Sequence, residues 1–146
     1  MADWSAIKAA IATQCGYVSG IKHSSSTNLD SAPVTPAVII THVSSLDATD
    51  RGLGYEYREV EVAGVLVVST SAGTGTAMST ADGLVESIFT EFRNGTLLGY
   101  PGTVQDSYLK TATADEIEVG SIKYEGYRLR FYVAVRESVT RYATRQ

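Results

Sequence analysis

One segment near the end of the chain, residues 127–136, alternates between two sets of residues without interruption. The apolar set is Tyr127, Leu129, Phe131, Val133 and Val135, and the other set is Arg128, Arg130, Tyr132, Ala134 and Arg136. Side chains of a β-strand point alternately to the two faces of its sheet, so the pattern predicts a strand with one packed face and one arginine-rich face. The chain must therefore build a sheet and cover its apolar side.

Two segments have the three- and four-residue spacing of amphipathic helices. The first is expected to begin after Asp3, a favourable N-cap, and to stop at Gly16. Its apolar stripe is Trp4, Ile7, Ile11 and Cys15. The second is expected to be capped by Ser79 or Thr80 and to close at Asn94-Gly95. Its apolar side is Ala81, Leu84 or Val85, Ile88 and Phe92.

Further strands are predicted by β-branched and alternating stretches. Residues 37–43 predict a strand buried on both faces, and residues 55–68 predict one long strand or a hairpin. A change of phase between Tyr57 and Val60, and the later Gly64, favour a bulge or bend. The last third predicts a strand over residues 107–119, broken near Asp115, and another from Ile122, with a turn at Glu125-Gly126 before the final strand.

Three polar stretches separate these elements. Residues 20–36 are rich in Ser, Thr, Asn and Pro and predict a long exposed loop, and residues 47–54 and 69–80 predict shorter connections. A chain of 146 residues has the size of one domain. We therefore expect a single α+β domain over residues 1–146, with a mostly antiparallel or mixed β-sheet on which two amphipathic helices pack.

No combination of residues predicts an active site. The only histidines, His23 and His42, fit a loop and a strand end, and Cys15 fits a small core residue. Alternating acidic residues at 56, 59 and 61 and at 115, 116 and 118 are typical of a solvated strand face. The glycine- and threonine-containing segment 71–76 lacks the lysine of a phosphate-binding loop. We expect no enzyme activity, no catalytic residue, no cofactor and no metal.

The charge distribution is uneven. The net charge is −4, but residues 122–146 carry six basic and two acidic residues, so this segment is +4 and the rest −8. A net acidic chain argues against general nucleic-acid binding. The apolar runs are too short to span a bilayer and no secretion signal is evident, so we expect a chain that does not enter a membrane and that acts in, or assembles from, the cytoplasm.

Tyrosine and arginine, both enriched at protein interfaces, are concentrated in the predicted strands, and there are nine tyrosines in the chain. The expected subunit interface consists of Arg128, Arg130, Tyr132, Arg136, Tyr55 and Tyr57. A split charge is compatible with a basic patch on one copy meeting an acidic patch on another. A sheet face covered by the aliphatic stems of arginine explains the same pattern equally well.

The order of elements resembles that of the tail terminator, or tail completion, proteins of long-tailed bacteriophages. The resemblance rests on the first helix (Trp4, Ile7, Ile11), the apolar strand after Pro36, the long alternating segment 55–68, the second helix and the strand 127–136. It covers nearly the whole chain.

The resemblance implies a virion protein, assembled in the host cytoplasm, that forms a homohexameric ring at the head-proximal end of the tail. Its implied partners are the tail tube protein, whose polymerisation it ends, and the head–tail connector protein, with DNA passing through the ring. Segments 47–54 and 69–80 would then reach the tube or a neighbouring subunit. The alternatives are a head completion or stopper protein and a small cellular ligand-binding domain.

Overall fold

The computed structural model describes residues 3–27, 33–52, 54–70, 75–93, 98 and 103–138, without the side chains of residues 49–52, 70 and 75–78. The described elements, in chain order, are α1 (Trp4–Gly16), β1 (His23–Ser25), β2 (Ala37–Gly52), β3 (Tyr55–Thr70), α2 (Gly75–Phe92), β4 (Val104–Val119) and β5 (Ile122–Ser138). The strands form one sheet in the order β1-β2-β3-β5-β4. β1 is parallel to β2 and the other pairs are antiparallel. The expected α+β fold with a mixed sheet is confirmed.

Both helices pack on one face of this sheet. Ile7, Ile11 and Cys15 of α1 and Ile88 and Phe92 of α2 join a buried cluster with the apolar set of β5. The rings of Phe92 and Phe131 lie 5.2 Å apart at the centre of this packing. Alternation in β5 and helical spacing in α1 and α2 thus predicted the same core from different elements.

The start of α1 is as the sequence indicated. The Asp3 carboxylate accepts a hydrogen bond from the backbone N–H of Ala6 at 3.1 Å, which satisfies one of the free amides of the first turn. α2 differs from the prediction, because it already begins at Gly75, four residues before Ser79. A cap at Ser79 or Thr80 is therefore wrong, and the predicted end at Asn94-Gly95 lies outside the described residues.

Two predicted connections are parts of strands. β2 continues from the apolar segment 37–43 to Gly52, so the polar connection at 47–54 is wrong for all but its last residues. In the predicted loop 20–36, His23–Ser25 form β1, which pairs with Ala37–Ile39 through three residues. The polar residues of β1 are half-buried and Asp47 and Ala48 of β2 are exposed, so polar composition did not mark a turn in either segment.

β5 begins earlier than expected. It runs without interruption from Ile122 to Ser138, so the turn predicted at Glu125-Gly126 is wrong. The chain reverses instead at Gly120, whose φ is +64°, between β4 and β5. Position 126 requires glycine because a Cβ there would lie 1.8 Å from the Leu66 carbonyl oxygen.

The predicted irregularities fall on neighbouring strands. Along β3, the register with β5 is continuous through residues 57–64 and shifts only between Val67 and Ser69. β2 instead carries three shifts, between Ile40 and His42, Val43 and Ser45, and Ala48 and Asp50. The first of these lies opposite Gly64, where a Cβ would meet the Ile40 side chain at 2.9 Å. The break near Asp115 is wrong, because β4 is shifted between Val104 and Asp106 and between Leu109 and Thr111.

Candidate interaction surface on the open face of the sheet

We call the face of the sheet opposite the helices the open face. Strand alternation and the β3–β5 register place all six predicted interface residues on it, with Tyr57 opposite Arg136 and the side chains of Arg128, Arg130 and Tyr132 following along β5. The three arginines are exposed, whereas Tyr55, Tyr57 and Tyr132 are half-buried.

A second apolar cluster lies at one end of the open face. Its members are Ala37, Ile39, Val65, Val67, Ile117, Val119 and Tyr124, and none of them belongs to a helix. They are buried because the flanking strands β2 and β4 bring their side chains together over β3 and β5. The prediction that residues 37–43 are buried on both faces anticipated Ala37 and Ile39. The members on β3, β4 and β5 were missed, since alternation in β5 assigned only one apolar face to the sheet.

Three of the predicted residues meet at the other end. The rings of Tyr55 and Tyr57 are edge to face, 5.1 Å apart, and the guanidinium carbon of Arg136 lies 5.1 Å from the Tyr55 ring centroid. This geometry is a cation–π contact on an exposed surface. Arg136 is therefore held over an aromatic ring of its own chain.

Tyr132 lies in the middle of the open face, stacked on Tyr108 of β4 with their centroids 4.8 Å apart. Burial, followed by a hydrogen bond that its hydroxyl donates to Glu59, raises the pKa of Tyr132 to about 12. Tyr108 is 38% exposed and was not among the predicted interface residues. Its position depends on the β4 register, which two shifts displace from a simple alternation.

Arg128 has a partner within its own chain. Its Nε donates to the Asp115 carboxylate at 2.6 Å, and Asp115 also accepts from the backbone N–H of Glu116. The Arg128 hydrogen bond is the main reason why the pKa of Asp115 is lowered. Asp115 was predicted only as part of a solvated acidic stretch, because its pairing partner follows from the β4–β5 register.

Arg130 is the exception on this face. Among the side chains that the structure describes, no carboxylate lies within ion-pair distance of its guanidinium. The nearest acid along β3, Glu61, instead binds Lys110 of β4 at 3.1 Å. Arg130 is thus an exposed cation whose charge the described part of the chain leaves uncompensated.

A groove of about 980 Å³ runs over the open face between β2 and β4. Arg128, Arg130 and Lys110 contribute its positive charge, and Glu61 and Glu118 its negative charge. Its apolar lining is formed by Ile39, Val65, Ile117 and Val119. The groove therefore combines an apolar floor with one uncompensated arginine.

Other candidate groups for chemistry are dispersed. His42 is exposed on β2, where its Nδ1 lies 3.1 Å from the Thr41 hydroxyl, and His23 lies in β1, the edge strand that pairs with the start of β2 at Ala37. Cys15 is fully buried, and burial raises the pKa of its thiol. Within the described residues, no three potential ligands gather around a common point where a metal ion would bind.

Comparison with known proteins finds similarity in structure but not in sequence. Neither a protein-family model nor a curated protein matches the sequence. A chain in a solved structure described as the virion of a native gene transfer agent particle is similar over 87% of this chain and 84% of that chain. The sequence identity is 16% and the TM-score is 0.46, a degree of similarity that assigns no function. No described helix is both long enough and apolar enough to cross a bilayer.

Proposed function

We propose that this chain is a structural virion protein of a long-tailed bacteriophage. In this proposal it is the tail terminator, which forms a ring on the finished tail tube, ends tube polymerisation and joins the tube to the head connector. The expected localisation is the head-proximal end of the tail, after assembly in the host cytoplasm.

The observation that carries the proposal is the open face. It presents stacked tyrosines and three exposed arginines, and no described element covers it. Tyrosine and arginine provide large contact areas with polar ends, which is the composition of interfaces between proteins. A sheet with helices on one face and such a surface on the other is suited to assembly with other subunits.

The order of elements supports the same proposal. A capped first helix, two long strands, a second helix and a closing arginine-bearing strand follow one another as in the resemblance described above. The long strands of the sheet also place the β2–β3 connection at the end of the sheet remote from the β4–β5 turn. Contacts at both ends are what a subunit between neighbours in a ring requires.

The mass of the purified protein, alone and with tail tubes, tests the proposal. We expect oligomers or tube-bound rings, and tubes whose length no longer grows when the protein is added. Arg130→Glu should weaken assembly at least tenfold while leaving the circular dichroism spectrum unchanged. The matched control is Arg93→Glu, an equal charge change at an exposed position at the end of α2. A protein that stays monomeric and never binds tubes would contradict the proposal.

A second experiment separates the related virion roles. A head completion or stopper protein would bind filled heads or connectors and leave tube growth unaffected. A terminator binds the end of the tube first. Incubation with separated heads and separated tails, followed by electron microscopy, distinguishes the two.

A second candidate function follows from the groove. Its volume of about 980 Å³ and its apolar floor are compatible with a small ligand that carries an acidic group. Titration with fatty acids and with inorganic phosphate, followed by NMR shifts of the amides of Thr111 and Arg130, tests this candidate. Saturable binding that Arg130→Gln removes would favour it over assembly.

A further inference from the structure

We propose that the groove of one copy receives the arm of the next copy, with Asp47 and Glu59 of the arm facing Arg130 of the groove. The arm is defined as residues 44–48 of β2 and 55–59 of β3. This inference rests on the proposed function, because it supplies the contact that would link subunits of the ring.

The arm lies outside both apolar clusters. Val43 and Val60 are the last residues of β2 and β3 in the core under the helices, and no residue of the arm belongs to either cluster. Leu46 of the arm is 47% exposed. The arm is thus a part of the sheet that its own helices do not cover, and it exposes an apolar side chain.

The arm also carries unbalanced negative charge. Asp47 and Glu59 are direct cross-strand partners on the open face and both are exposed. Their described contacts are with hydroxyl groups, those of Ser45 and Tyr132, and no described cation lies within ion-pair distance of either carboxylate. Directly opposed like charges destabilise a strand pair, so a cation from elsewhere would stabilise this one.

Arg130 is complementary to this pair but does not meet it within one chain. Arg130 lies opposite Ala63, four residues along β3 from Glu59, a distance of about 13 Å at the usual strand rise. Glu61, which lies between them, is already bound to Lys110. The described side chains of one chain therefore leave Asp47 and Glu59 without a cation, and Arg130 without a carboxylate, on the same face.

The two sites lie toward different ends of the molecule. The arm adjoins the β2–β3 connection, and the groove extends along β4 to Gly120, at the β4–β5 turn. A contact between different surfaces of identical subunits is heterologous, and repeated heterologous contacts close into a ring when the rotation allows. The apolar floor of the groove provides the uncharged part of such a contact, whereas the exposed Leu46 lies opposite Val60 on the other face of the arm.

A charge exchange between the two sites tests the inference. Arg130→Glu and Asp47→Arg are each expected to raise at least tenfold the protein concentration needed for half-maximal ring formation on tail tubes. Equimolar mixing of the two variants, or their combination in one chain, should restore assembly, because residue 130 of every groove then finds a residue 47 of opposite charge. Arg93→Glu and Glu86→Arg are controls at exposed positions on or next to α2 and should assemble like the original chain.

Each outcome decides a different question. Single variants that assemble normally, or that fail without rescue by mixing, overturn the docking of the arm in the groove. An original chain that does not assemble on tubes overturns the proposed function itself. Circular dichroism checks folding first. If either charge-reversal variant is unfolded, Arg130→Gln and Asp47→Asn replace the two reversals. The same reduction in assembly is then expected from each neutral variant, and normal assembly would overturn the inference.

Discussion

Gly126 shows how closely two strands of the sheet approach each other. It lies inside β5, opposite Val67, next to the shift in the β3–β5 register. The Leu66 carbonyl oxygen occupies the space where a side chain would begin, 1.8 Å from an ideal Cβ. The position therefore tolerates no side chain unless the backbone of β3 or β5 moves.

Gly126→Ala should consequently destabilise the protein. We expect a loss of about 1–3 kcal/mol in the free energy of unfolding, the usual cost of forcing extra atoms into a packed interior. Gly83→Ala is the matched control, because nothing lies within 4 Å of a Cβ at this exposed helical position. It should stabilise the protein by up to about 1 kcal/mol. Urea denaturation of both variants measures the difference, and equal midpoints would contradict the packing argument.

Single residues differ in how far the sequence determined them. Alternation alone predicted that Arg128, Arg130 and Arg136 share a face, and the register confirms it. It did not predict that Arg128 binds Asp115 or that Arg136 lies over Tyr55. Those contacts depend on the relative shift of strands distant in the chain, which no local pattern encodes.

At the scale of elements, helix α1 is the part whose packing is most directly measurable. Its buried side includes Ile11 and Cys15, both without exposed surface. The buried thiol stays protonated in the folded protein because burial raises its pKa. A thiol reagent can react with Cys15 only after α1 leaves the sheet or the protein unfolds.

Thiol labelling should therefore report the docking of α1. At pH 8 we expect Cys15 to react at least a hundredfold more slowly in the folded protein than in urea. Ile11→Ala should accelerate labelling, because removal of a buried isoleucine side chain costs about 2–5 kcal/mol. Thr13→Ala, at an exposed position of the same helix, should not accelerate it.

The pH dependence of stability follows from the same thiol. A raised pKa in the folded state means that the unfolded state releases its proton first as the pH rises. The contribution of the protonated Cys15 thiol to the free energy of unfolding is complete below about pH 8.5, the pKa of a free thiol, and is lost progressively above it. Fast labelling of the folded protein at pH 8, with no effect of Ile11→Ala, would show that α1 does not shield Cys15.

The predicted elements were most accurate where one face is buried. Ile7, Ile11 and Phe92 recur at helical spacing, and the odd-numbered residues of β5 recur in steps of two, because each packs on the same core. The end of β2 was missed because Asp47 and Ala48 are exposed and have no apolar alternation to reveal a strand. Polar residues in an arm without a covered face resemble a loop in sequence.

At the scale of the whole molecule, the helices cover one face of the sheet, and the other face carries an apolar cluster at one end and charged and aromatic side chains elsewhere. The ion pairs on that face are largely exposed: the side chains of Arg128 and Asp115 are 59% and 47% exposed, and those of Lys110 and Glu61 are 49% and 23% exposed. Exposed ion pairs contribute little to folding, because water screens them. Charge should therefore matter more for assembly than for the stability of the subunit.

Ionic strength should affect assembly more strongly than the stability of the monomer. Between about 0.05 and 0.5 M salt the screening length falls to a few ångströms. We expect the urea midpoint of the monomer to change little, whereas ring formation should weaken on the order of tenfold because it joins opposite charges. Denaturation curves and sedimentation at both concentrations test this, and a salt-insensitive ring would contradict a contact based on Arg130.

Strand β4 lies at one edge of the sheet, and this position affects how the protein behaves in solution. It is sixteen residues long, and no described strand pairs with its outer edge. Such an edge is a template for unspecific cross-β aggregation. Lys110, Asp115, Glu116 and Glu118 place charges along this strand, so stacking identical copies of it would bring like charges together. We therefore expect the charges of β4 to oppose aggregation of the protein at high concentration.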